Sequence, residues 1–232
     1  MTFRKLAAPI LFGAIAMMLV PLLSTANTAE PHFSLTTTPG KLPKTVVPIH
    51  YTIDLTLDPE TLKVTGSEVV EIEVREPTAR LVLNADDIKL TRATIDDGAQ
   101  TAAISAKAGG ETVTLTFPRL LSAGRHTLAI AFTASINKSG PGLYAVDYET
   151  DHGTKRLISS HLAPGDARRV FPSWDEPAFK ATFALTVTVP NALQAVSNMP
   201  AVREQPAGAG SKRIAFAPTP RMSSYLVQLT VG

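Results

Sequence analysis

The sequence predicts an all-β chain, an antiparallel β-sandwich or saddle in a single domain, preceded by a signal peptide. Three observations predict it. Apolar and polar residues alternate at period two through most of the chain, as a strand with one buried face requires. Clusters of Gly, Pro, Asn and Asp cut that alternation into short segments. Beyond the N-terminal apolar run, no segment carries the 3.6-residue period of an amphipathic helix.

The elements follow in order. Arg4 and Lys5 form a positive start, Leu6 to Leu23 is apolar but broken by Pro9, Gly13 and Pro21, and Ser24-Thr25-Ala26 supplies small residues. This is the pattern of a secretory signal peptide over residues 1–26. A retained membrane anchor is the competing reading, since the run nearly suffices to span a bilayer. Cleavage is favoured by Pro21 and the small-residue site, which implies export to a periplasm or the outside, with no stable membrane span afterwards. With no cysteine in the chain, a lipid-anchored N-terminus is excluded. Residues 27–48, with Pro31, Pro39, Pro43 and Pro48, read as an extended lead-in.

Residues 49–232 form the β domain. Tyr51, Ile53, Leu55 and Leu57 share one face; Val70, Ile72 and Val74 repeat the pattern, as do Val113, Leu115 and Phe117, then Leu128, Ile130 and Phe132. The longest run is Phe179 to Val189, and Tyr225, Val227, Leu229 and Val231 form the last. Turns are expected at Asp58-Pro59, Asp96-Asp97-Gly98, Gly109-Gly110, Ala123-Gly124, Pro190-Asn191 and Gly208-Ala209-Gly210. Two packed sheets or one curved saddle would satisfy this pattern.

Composition narrows the function. The chain is 44% apolar and 18% charged, as folded globular chains are. A net charge of +2 without a basic run gives no reason to expect a nucleic acid partner. The absence of cysteine removes disulfides, thiolate metal sites and cysteine nucleophiles. None of the five histidines, His32, His50, His126, His152 and His161, is followed by Glu, and no two lie four apart. The chain therefore lacks the His-Glu-x-x-His zinc site of metallopeptidases. A Gly-x-Ser-x-Gly elbow, a P-loop and a dinucleotide fingerprint are also absent.

One segment breaks the β rhythm. Between the strand-like pieces Leu143–Glu149 and Lys155–Ser160 and the long run lies Asp166-Ala167-Arg168-Arg169-Val170-Phe171-Pro172-Ser173-Trp174-Asp175-Glu176-Pro177, which holds the only Trp. So dense a mixture of ring, proline and charge marks a loop with specific packing. Ion pairing of Arg168 with Asp175, or of Arg169 with Glu176, would pin it. Trp174 reads as a core anchor under the loop, with a sugar-stacking platform as the alternative. The neighbouring acids Asp86-Asp87, Asp96-Asp97 and Asp175-Glu176 read as turn residues or caps rather than an acid–base pair.

This loop, continuing through Ala178-Phe179-Lys180-Ala181-Thr182-Phe183, resembles the signature of the N-terminal domain in the aminopeptidase N family of zinc metallopeptidases. Leu42-Pro43 with Pro48-Ile49-His50-Tyr51, then Gly142-Leu143-Tyr144, Val196-Ser197-Asn198-Met199-Pro200 and Met222-Ser223-Ser224-Tyr225-Leu226-Val227 are similar to further family elements in the same order. The resemblance implies a β-saddle that packs against a thermolysin-like catalytic domain. It implies that the zinc ligands and the exopeptidase motif would stand beyond Gly232, so this chain would carry no cofactor and be inactive alone. It also implies a substrate contact just before the signature, where the family commonly has Gln-x-Glu to hold a peptide's free amine. Here His161 and Ala163 stand at those positions, and Ala163 offers no carboxylate.

The expected function is thus a non-catalytic substrate-cleft or scaffold domain of an exported aminopeptidase. Its partners would be the catalytic domain and, in the whole enzyme, peptides. The alternatives are a binding or scaffold protein that keeps the saddle, and a carbohydrate-binding sandwich using Trp174. If the catalytic domain is absent, the surface that should meet it forms an exposed apolar patch that promotes self-association.

Overall fold

In the computed structural model, residues 34–208 and 210–232 are described, and Ser34–Gly232 forms one compact unit. The expected signal peptide and the start of the lead-in lie outside the described residues. Alternation in sequence becomes alternation in burial. In β1 (Val46–Asp58) Tyr51, Ile53, Leu55 and Leu57 are buried, and β2 (Lys63–Val74) buries every second residue along its whole length. The chain continues through β3 (Thr78–Asn84), β4 (Lys89–Ile95), β5 (Gln100–Thr101), β6 (Ala103–Ala106), β7 (Thr112–Leu121) and β8 (Gly124–Ser135). Next come β9 (Gly142–Thr150), β10 (Gly153–His161), β11 (Thr182–Pro190), β12 (Ala195–Ser197), β13 (Ala201–Gly208), β14 (Ser211–Phe216) and β15 (Leu229–Val231). The described residues contain no α-helix.

Among the described residues the strands form three sheets. The eight-stranded sheet runs β13-β14-β11-β1-β2-β8-β4-β5, the four-stranded one β12-β15-β10-β9 and the three-stranded one β3-β7-β6. All pairs are antiparallel except β1 with β11, which are parallel and set Tyr51 opposite Phe183. A parallel neighbour needs a long crossover, and here β2 to β10 all lie between the two partners in sequence. Strand direction leaves no mark on local alternation, which is why the sequence showed none.

Turn chemistry holds the hairpins. The Asp58 carboxylate accepts the N–H groups of Glu60 and Thr61 at 3.0 Å each. Asp96, Asp97 and Gly98 all take positive φ between β4 and β5. Gly66 in β2 is required by space, because a Cβ there would stand 2.2 Å from the Phe132 ring. The edge strand β13 is blunted by Arg203, Glu204 and Pro206.

Two expected strand runs are shorter than their alternation suggested. β11 starts at Thr182, and the preceding Ala181 makes only a bridge to Met222. The run from Tyr225 opens with a 3-10 turn over Ser224–Leu226, so β15 has three residues. The hydroxyls of Ser223 and Ser224 are drawn to the loop described next, and this bends the chain before it can pair.

Candidate functional site

The unusual loop leaves β10 at His161 and enters β11 at Thr182. Its single regular piece is a 3-10 turn over Ala167–Arg169. The segment folds under the sheets because its rings are apolar. Trp174 is 2% exposed, and Phe171 lies edge-on to both Tyr51 and Phe183 with centroids 6.1 and 6.2 Å away. Tyr51 stacks on Phe183 at 4.9 Å, and its hydroxyl accepts the Trp174 backbone N–H at 3.2 Å. Burial pushes the Tyr51 phenol well above its ordinary pKa, so it stays neutral. A Trp ring so enclosed has no face to offer a sugar.

The charges tie the loop down. Arg168 meets Asp175 through Nε–Oδ2 at 3.0 Å and donates Nη2 to the Asp175 carbonyl at 2.7 Å. It also reaches Glu111 at 2.7 Å. Asp175 is buried; its other oxygen accepts the Ser224 hydroxyl, and its backbone N–H donates to Asn84 Oδ1 at 3.1 Å. Arg169 does not pair with Glu176. It contacts Asp86, Asp87 at 3.2 Å and Asp166 at 3.2 Å instead. A guanidinium with five donors fits this three-carboxylate cage. Asp86 and Asp87 are therefore partners of the loop as well as turn residues.

Glu176 turns the other way. Its Oε1 accepts the N–H groups of Lys41 and Leu42 at 2.6 and 2.9 Å, which fastens the N-terminal lead-in. A Cβ at Gly40 would stand 2.2 Å from Glu176 Oε2, so a larger residue there would displace that carboxylate. The Pro177 carbonyl accepts the Ser223 hydroxyl at 3.0 Å, and Lys180 Nζ donates to the same hydroxyl at 2.6 Å. Ser173 and Asn84 exchange two backbone hydrogen bonds at 2.7 and 3.0 Å. The loop thus joins the lead-in, the end of β3 and the entry to β15.

His161 and Ala163 are exposed beside this clamp. His161 ends β10 opposite Gly142, and the Ala163–Pro164 peptide bond is cis. The structure places both at the rim of the buried loop, where a ligand could reach them. Among the described residues no group of three metal-ligating side chains stands close enough to share an ion.

Sequence reasoning missed Asn84, Glu111 and Gly40 as partners of the loop. Each acts over a separation no local pattern reveals. Asn84 was detectable only as a polar residue ending the apolar run Leu81–Leu83.

Comparison with known proteins assigns the pattern. A family model described as the Peptidase M1 N-terminal domain matches residues 47–226. The chain is 46% identical over 205 residues to the "Aminopeptidase N" of Acetobacter pasteurianus, covering 88% of this chain and 58% of that protein. It is 39% identical over 194 residues to "Aminopeptidase M1-D" of rice, Oryza sativa subsp. japonica, covering 83% of this chain and 22% of that protein. It is 30% identical over 200 residues to the "Endoplasmic reticulum aminopeptidase 1" of Rattus norvegicus, again 22% of the relative.

Proposed function

The chain belongs to the peptidase M1 N-terminal domain family, and we propose that it is the non-catalytic first domain of a longer, exported zinc aminopeptidase. The observation that carries this reading is the match over residues 47–226, joined to relatives of which the chain spans little more than half at most. The loop geometry supports it. Asp175, Glu176 and Pro177 spend their polar groups on holding other segments together, so the loop is a scaffold and leaves chemistry to another part of the enzyme.

In the complete enzyme the family's zinc would be held by the rest of the protein, since the described residues offer no site for it, and would supply Lewis-acid activation for peptide hydrolysis. This domain would wall one side of that cleft. His161 stands at the rim and would contact the substrate's N-terminal end. Ala163 supplies no carboxylate, so one charge-assisted hydrogen bond worth about 1.5–3 kcal/mol is missing from amine recognition. Export rests on the segment 1–26. No described helix is long and apolar enough to cross a membrane.

The test is hydrolysis of alanyl and leucyl chromogenic amides by the purified chain, with and without added zinc. No turnover is expected in either condition. Joining residues 34–232 to the remainder of the rice relative, in place of its own matching segment, should give zinc-dependent turnover. Zinc-dependent activity of the isolated chain would overturn the reading, and so would an inactive but folded chimera.

A further inference from the structure

Arg156, Arg168, Arg169 and Arg213 are each held by a carboxylate within hydrogen-bond distance. Arg75, Arg125 and Arg221 are not. These three converge from separate segments on one depression of about 360 Å³. Arg75 stands just past the end of β2, Arg125 at the start of β8, and Arg221 in the chain between β14 and β15. Glu73, Ile49 and Thr182 also line it.

The fold builds this depression at one end of the eight-stranded sheet. The register of β1 against β2 shifts between Pro48 and His50, which leaves Ile49 as the extra residue of a bulge. Glu73 lies between the buried Ile72 and Val74 and so faces solvent; Arg125 is its cross-strand partner and shares that face. Thr182 enters from β11 opposite His50, whose Nδ1 lies 2.6 Å from its hydroxyl. The bridge between Ala181 and Met222 brings Arg221 alongside, and its Nε donates to the Lys180 carbonyl at 3.1 Å. That bond fixes the guanidinium and leaves both its terminal nitrogens for another acceptor.

Nearby carboxylates do not use up these donors. Arg75 Nε is 3.8 Å from Glu73 Oε2 and Arg125 Nη1 is 3.9 Å from Glu71 Oε2, both beyond hydrogen-bond reach. Both acids are half-exposed, so such pairs contribute little. Three guanidinium groups gathered in this way repel one another, and an oxyanion between them would relieve that repulsion. Their planar forks match the tetrahedral oxygens of a phosphate, and the depression falls within the usual size of small-ligand sites, roughly 300–1,000 Å³.

We propose that Arg75, Arg125 and Arg221 bind a protonated phosphate, either the inorganic ion or the phosphomonoester of a small molecule. Glu73 decides the class. Its carboxylate lines the same depression and can accept a hydrogen bond only from an oxyanion that still carries a proton. Phosphate and its monoesters carry one near neutral pH; sulfate and the phosphodiester of a lipid headgroup do not. The site does not depend on the functional reading above.

The experiment is calorimetric titration of the purified chain at pH 7 and constant ionic strength with inorganic phosphate, glycerol 3-phosphate and sulfate. One saturable phosphate site per chain is expected, at least about ten-fold tighter than sulfate, as one charge-assisted hydrogen bond implies. Arg75→Gln with Arg125→Gln should weaken phosphate at least ten-fold. Arg92→Gln with Arg203→Gln, which removes the same charge elsewhere on the sheet, should stay within two-fold. Glu73→Gln should bring phosphate and sulfate within two-fold of each other. Neither Arg75 nor Arg125 makes a hydrogen bond to a carboxylate, so the thermal midpoint of their double variant should hold within a few degrees. Arg221→Lys, which keeps the charge and loses the fork, should also weaken phosphate and serves if the double variant does not fold. Tighter binding of glycerol 3-phosphate than of inorganic phosphate assigns the site to a phosphomonoester, and the reverse assigns it to the free ion. No saturable binding, sulfate bound as tightly as phosphate by the native chain, or equal loss in the control pair would each overturn the proposal.

Discussion

Asp175 is the residue on which most of the loop's polar contacts converge. It binds Arg168, Ser224 and, through its backbone, Asn84. Asp175→Ala would leave the Arg168 guanidinium with Glu111 and the backbone carbonyl of residue 175, in a setting where its side chain is only 15% exposed. Breaking a buried pair costs about 3–5 kcal/mol, and urea denaturation should show that loss; a change under about 1 kcal/mol would mean the clamp is redundant. The sequence made Arg168–Asp175 visible because the residues are seven apart in one loop. Arg169 defeated it, since Asp86 lies too far away in sequence for spacing to suggest. Glu68 is the opposite case. It occupies a core position of β2, and neither carboxylate oxygen has a partner. Burial raises its pKa well above the ordinary carboxylate range. The folded chain then holds a proton that the unfolded chain releases above about pH 4.3, so stability falls as pH rises from there toward the raised value. Glu68→Met should stabilise the chain by about 1–3 kcal/mol at pH 8, with the gain fading toward pH 4. Thermal melts of both proteins across that range check it, and a pH-independent difference would refute it.

At the scale of elements, His126 latches the turn after β4 to the turn before β8. Its Nδ1 lies 2.7 Å from Asp96 Oδ2 and its Nε2 lies 2.9 Å from the Ser122 carbonyl. Two acceptors call for two donors, which only the imidazolium has. Burial works against both charges, but the hydrogen bonds outweigh it. His126 is raised by Asp96 and the Ser122 carbonyl, and Asp96 is lowered by His126 and the Thr127 N–H. The histidine's contribution is complete below its unfolded value of about 6.5 and lost as pH rises through the raised one; the aspartate's is complete above about 3.9 and lost as pH falls through the lowered one. The latch is therefore whole between about pH 4 and 6.5. The melting difference between the native chain and His126→Phe should be greatest there and shrink by pH 9; a flat difference would remove the latch. Elements with clean alternation, β1, β2, β7, β8 and β11, were legible because one face is buried and the other wet. β3, β6, β12 and β14 were not. They are short; β12 buries none of its residues, so pairing rather than pattern makes it a strand, and β14 alternates in burial but sets Lys212 at one of its buried positions. The number of sheets and the parallel β1–β11 pair depend on which strand meets which, and no local period carries that.

At the scale of the whole molecule, three sheets share one hydrophobic cluster, and the loop from His161 to Thr182 is what they share it through. Tyr51 belongs to the eight-stranded sheet, Asn84 ends a strand of the three-stranded one, and Ser224 leads into the four-stranded one. All three bond to the segment Ser173–Asp175. No sheet can leave without unmaking that segment, so the described unit should unfold as one cooperative body. The chain offers a direct way to test it, because Trp174 is its only tryptophan and lies in that segment. Trp174 fluorescence reports the loop, and far-ultraviolet circular dichroism reports all three sheets. The two denaturation curves should superimpose in the native chain. They should shift together to lower denaturant in Asp175→Ala, without separating. If fluorescence changes first while the sheets persist, the loop is a local clamp on sheets that are stable without it, and the large sheet's core around Tyr51 and Phe183 then holds the fold by itself.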